Sequence, residues 1–114
     1  MKNRSLIYHI ANAPDLPEPG SAEDYRCPSL TSDGFIHCCD QKQLAGVVNR
    51  YYQGIDNVFL LILDVDRLEA PLILENTVGG SELFPHIYGP INASAIKQVV
   101  PFGIHSTERM GIEE

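Results

Sequence analysis

Val58-Phe59-Leu60-Leu61-Ile62-Leu63 is an unbroken run of six apolar residues. Side chains alternate between the two faces of a strand, so a run with no polar position has both faces buried. We therefore expect it to be the central strand. Asp64-Val65-Asp66-Arg67-Leu68 closes it and reads as a turn or a single helical turn. Upstream, Leu44, Val47, Val48 and Tyr51 recur at helical spacing and give one buried stripe. Asp40 serves as N-cap and Gly54 as stop, which predicts a helix reaching to about Gln53.

Working outward, Ser5 to Ala11, Gly34 to Cys38, Leu72 to Glu75, Glu82 to Gly89 and Lys97 to Pro101 are short strand candidates. Asn12 to Ala22 carries Pro14, Pro17, Pro19 and Gly20 and is expected as loop. Tyr25 to Pro28 reads as a short extended piece stopped by its proline. Gly79-Gly80-Ser81 reads as a hinge, and Asn92 to Ile96 as a short capped helix. Many short strands and one main helix make an α+β domain. The domain is expected over residues 1–101, with a mobile tail over 102–114.

The 114 residues are enough for one core. No apolar run approaches the roughly 20 residues that span a bilayer. The stretch after Met1-Lys2-Asn3-Arg4-Ser5 is too short for a signal peptide, so the expected compartment is the cytoplasm, with thiols reduced. The net charge is −7, and the eight Lys and Arg are scattered. Nucleic acid needs a basic footprint, so neither it nor a membrane is an expected partner. A small ligand is. The oligomeric state is not legible.

Three short apolar runs each carry a histidine: Leu6-Ile7-Tyr8-His9-Ile10, Gly34-Phe35-Ile36-His37-Cys38 and Leu83-Phe84-Pro85-His86-Ile87. In the last, Phe84, His86 and Tyr88 share one strand face, which Glu82 joins if the strand starts that early. His9 reads either as a core histidine bonded to backbone or as a ligand group. His37 and His86 suit hydrogen-bond acceptance or, as cations, a phosphate grip. Glu82 reads as a solvated loop acid or as a pocket carboxylate that steadies a cationic centre or takes a proton from water. Tyr88 presents a hydroxyl to a ligand or packs. Ser29 bonds a phosphate or braces a turn.

Cys27, Cys38 and Cys39 lack zinc-ligand spacing, and adjacent Cys38 and Cys39 face opposite sides of a strand. No metal site is expected from the cysteines. A metal-assisted hydrolase built on His9, His37 and His86 is an alternative reading.

The segments Ile7-Tyr8-His9-Ile10, Pro28-Ser29-Leu30, Gly34-Phe35-Ile36-His37-Cys38 and Glu82 to Pro90 together resemble a small bacterial family, domain-of-unknown-function family 952. The likeness runs from about Leu6 to about Pro101, including Gln43 to Arg50. That family looks like a minimal ADP-ribosyltransferase-like fold, with NAD in a cleft between two small sheets of short mixed or antiparallel strands. The resemblance implies that His9 holds a ribose hydroxyl and that Glu82 steadies the cationic transition state. The segment around Gly34 and Phe35 would be the middle motif. Tyr51, Tyr52 and Phe35 are candidates for the aromatic stacked on nicotinamide. The expected site therefore has Glu82, His86 and His37 as catalytic groups, and His9, Ser29, Phe35, His37 and Tyr88 around NAD or an ADP-ribosyl ligand. The expected reaction is transfer or hydrolysis at the ribose anomeric carbon. The alternative is a binding or interaction module without chemistry.

Overall fold

The structure is a computed structural model that describes residues 6–18, 20–51, 57–77 and 79–102, leaving aside the side chains of Tyr51 and Phe102. Among the described residues, six strands form two three-stranded antiparallel sheets. The first contains β1 (Leu6–Asn12), β3 (Val58–Asp64) and β6 (Ile96–Phe102), in the order β1-β3-β6. The second contains β2 (Ile36–His37), β4 (Leu72–Glu75) and β5 (Phe84–Ile87), in the order β2-β5-β4. The helices are α1 (Pro28–Ser32) and α2 (Gln41–Tyr51). The α+β expectation holds, and every strand pair is antiparallel.

The apolar run does form the central strand, β3. Leu61 and Leu63 enter a core with Ile7, Ala11, Tyr25, Ile36, Ile87 and Ile91. Val58 and Leu60 enter a second core with Tyr8, Ile10, Leu44 and Val48. Both faces of β3 are thus buried, and α2 covers the second with its predicted stripe. Cys38 and Cys39 fall into opposite cores, as strand alternation requires.

A capping box begins α2. Gln43 N–H donates to Asp40 Oδ1 at 2.9 Å, and Asp40 N–H donates to Gln43 Oε1 at 2.9 Å. The Gln43 amide also donates to Leu83 O at 2.8 Å, tying the helix start to the entry of β5. The predicted stop at Gly54 lies outside the described residues, as do Tyr52 and residues 103–114 of the expected tail. Phe102 itself ends β6.

Pro28 does not stop an extended piece as expected. It opens α1, where a missing N–H costs nothing. Tyr25 is extended and pairs with Ile91. Pro85 stands in β5, the middle strand of its sheet. Its carbonyl accepts from Cys38 N–H at 3.0 Å, at the point where the two-residue β2 has ended. Little ladder exists there to lose a donor.

Helix α1 ends in a turn that delivers β2. Asp33 and Gly34 both donate backbone N–H to Ser29 O, and Gly34 has φ +89°. A Cβ there would meet nothing within 4 Å. Gly34→Ala is therefore expected to cost about 1–2 kcal/mol from backbone strain alone, measured by urea denaturation. A neutral substitution would show that the turn relaxes freely.

Candidate functional site

The two sheets meet at a narrow seam. Tyr8 and Cys39 exchange backbone bonds at 2.8 and 2.9 Å, joining β1 to the residues after β2. A cleft of about 540 Å³ opens beside this seam, within the size range of small-molecule sites. His9, His37 and His86 all line it. They arrive from β1, β2 and β5, so the three histidine-bearing runs converge.

His9 is 6% exposed, and both its ring nitrogens are engaged. Nδ1 lies 2.6 Å from His37 O. A carbonyl only accepts, so Nδ1 carries the proton. Nε2 then accepts from the Tyr25 hydroxyl at 2.8 Å. Burial lowers the His9 pKa to about 4, so the ring is neutral near pH 7. His9 braces β1 against β2 and orients Tyr25, itself fully buried and part of the cleft wall.

His86 is 2% exposed. Its Nδ1–H donates to Glu75 Oε2 at 2.9 Å, across the β4–β5 ladder. Tyr88 donates its hydroxyl to the same oxygen. The bonds from Tyr88 and His86 hold the Glu75 carboxyl below its ordinary range, and Glu75 in turn pushes the Tyr88 hydroxyl up. With Nδ1–H committed, neutral His86 carries its lone pair on Nε2. That atom has no protein partner among the described residues.

His37 forms a second carboxylate–imidazole pair. Nε2–H donates to Asp33 Oδ2 at 2.9 Å, and that bond holds Asp33 below its ordinary range. The His37 side chain is 50% exposed. Its ring centroid lies 5.3 Å from that of His86, edge to face. Phe35 stacks on His86 at 4.0 Å and meets His37 edge-on at 4.7 Å, fixing both rings.

The other expected site residues are placed as follows. Ser29 lines the cleft, and its hydroxyl donates to Phe35 O at 2.8 Å, bracing the turn. Phe35 is buried behind the two imidazoles. Tyr88 lies past the end of β5, turned to Glu75, whereas Phe84 and His86 share the cleft face as predicted. Glu82 is exposed, and its carboxylate accepts from Gln43 Nε2 at 3.1 Å. Among the described residues, Asp15 supplies the cleft with its only carboxylate, and no Lys or Arg lines it.

Burial pushes the Cys39 thiol up to about 12 and that of Cys38 well above its ordinary range, so both stay protonated. Among the described residues, no three His, Cys, Asp or Glu are grouped to hold a metal ion. No helix among them is long and apolar enough to cross a membrane.

Residues 10–99 match a family described as "Protein of unknown function (DUF952)". The chain belongs to this DUF952 family. Its fold is similar to the crystal structure of protein CC0527 from Caulobacter crescentus, with a TM-score of 0.71 and 24% sequence identity. The likeness covers 95% of this chain and all of that one. A double mutant of CC0527 gives a TM-score of 0.70 at 23% identity over the same shares of the two chains. At such identities the likeness establishes a shared fold. No curated protein matches the chain.

Proposed function

We propose that this DUF952 protein binds a ribosyl ligand of the nucleoside or nucleotide kind, NAD or ADP-ribose among them, and hydrolyses it at the anomeric carbon. The carrying observation is the Glu75–His86 pair, which leaves an acceptor nitrogen on a buried residue of the cleft wall. In this reading His86 takes a proton from the attacking water. Asp15, rather than Glu82, receives the ribose hydroxyls and faces the developing positive charge. His9 acts through Tyr25, which presents the hydroxyl that the ADP-ribosyltransferase-like comparison would have given to the imidazole itself. The paired antiparallel sheets around a histidine-lined cleft support that comparison.

The test is an NMR titration of labelled protein with NAD and then ADP-ribose. Saturable shifts at Asp15, Tyr25, His37 and His86 are expected. No shift at millimolar concentration of either would overturn NAD and ADP-ribose as ligands. One observation favours the reading as a binding module without chemistry: the Glu82 carboxylate is tied to Gln43 and is absent from the cleft wall. That reading predicts saturable binding with no product.

A further inference from the structure

Hydrolysis by His86 accounts for one imidazole of two. His37 stands 5.3 Å away with its own carboxylate partner, and its Nδ1 has no protein partner among the described residues. The two sites differ in exposure. The His86 side chain is 3% exposed, that of His37 50%. Water solvates a positive charge on His37 and exchanges its proton, whereas His86 is shielded. His86, with its Nδ1–H held by Glu75, is placed to accept a proton on Nε2 from a group inside the cleft. His37, half exposed beside Asp33, is placed to exchange protons with solvent.

We infer that His37, as the imidazolium paired with Asp33, is the general acid that protonates the leaving group, and that the substrate class is an uncharged purine nucleoside. The inference rests on the ribosyl-ligand reading and names its substrate. Two observations select the class. Nicotinamide leaves NAD as a neutral molecule from a bond already cationic, so it needs no acid. A purine leaves as an anion unless a ring nitrogen is protonated, so it does need one. A dinucleotide's pyrophosphate gains no Lys or Arg partner from the described cleft wall, so a nucleoside without one suits the wall better. Phe84, only partly buried, instead gives that wall an aromatic ring against which a neutral base can pack.

The step balances. Water oxygen bonds to the anomeric carbon as His86 Nε2 takes its proton. The carbon–nitrogen bond breaks with its electron pair going to the purine. His37 Nδ1–H passes its proton to a purine ring nitrogen. The products are ribose and the free base. The proton on His86 then leaves by way of the emptied cleft, and half-exposed His37 takes one from solvent.

Two probes separate the acid from the rest. Inosine needs a protonated leaving group; p-nitrophenyl β-ribofuranoside releases a stable phenolate and does not. His37 is half exposed, so His37→Gln is expected to fold, checked by its urea midpoint. Wild-type protein should release hypoxanthine from inosine. His37→Gln should lose at least about 100-fold on inosine and about tenfold or less on the nitrophenyl riboside. Equal losses on both probes would overturn the acid assignment. Nitrophenolate release by wild type without hypoxanthine release would overturn the acid and the substrate class while leaving the cleft reading intact. Release from neither probe, with no shift in an NMR titration with inosine, NAD or ADP-ribose, would overturn both.

Discussion

His9→Ala is expected to destabilise the protein by about 3 kcal/mol or more in urea at neutral pH. Removing the ring opens a space in the cleft wall and leaves the His37 carbonyl and the Tyr25 hydroxyl without the bonds it makes. Each orphaned buried group costs about 1–3 kcal/mol, and the lost packing adds to that. The same ring makes the fold sensitive to acid. The His9 pKa is about 4 in the folded protein against an ordinary 6.5. Between those values the unfolded chain binds a proton that the folded chain refuses. The stabilisation from the neutral ring is complete above pH 6.5 and drains away as pH falls toward 4. At about 1.4 kcal/mol per pH unit the loss is roughly 3 kcal/mol. Urea midpoints across this window should fall steeply in wild type and less in His9→Asn, which keeps a donor for the His37 carbonyl. Equal slopes in the two proteins would assign the acid sensitivity to other groups.

His86→Ala is expected to cut release of nitrophenolate from p-nitrophenyl β-ribofuranoside by about 10²–10⁴-fold, the usual contribution of a positioned general base. Unlike His37→Gln, it should do so on both riboside probes, because water activation is common to them. Glu75→Gln tests how the base is set. The carboxylate accepts the Nδ1 proton and so fixes the tautomer with its lone pair on Nε2. Ring ¹⁵N shifts should show the proton of neutral His86 on Nδ1 in wild type, with the other tautomer populated in Glu75→Gln. Turnover should drop as that population grows. A wild-type ring carrying its proton on Nε2 would contradict the arrangement directly.

Much of the framework was legible because it rests on local pattern. The run from Val58 to Leu63 has no polar residue, so two buried faces followed. The spacing of Leu44, Val47 and Val48 marked the helix stripe, and strand alternation placed Cys38 and Cys39 in opposite cores. The histidines were legible as three runs with one imidazole each. Their anchors were not equally so. Asp33 stands four residues before His37, close enough that the pair was open to local reading. Glu75 reaches His86 only through strand pairing, in which Ile73 faces His86, and no spacing along the chain shows that. Asp15 sits in a proline-rich connection whose path depends on what it packs against. Glu82 pointed the other way for a similar reason. Its strand starts at Phe84, because Gln43 holds both Glu82 and Leu83 at the helix start. The three-residue separation of Asp40 and Gln43 marks a capping box, but the second grip of that glutamine spans the whole domain.

The Tyr8–Cys39 link across the seam is made of main chain. Tyr8 and Cys39 face each other through peptide groups, and those bonds are indifferent to the side chains attached. Both residues nevertheless line the cleft. Exchange at either one for any residue but proline alters a lining side chain while these main-chain bonds are kept. The spacing of His37 and His86 is set within the β2–β5 pair, whereas the seam sets how far that pair stands from His9 on β1.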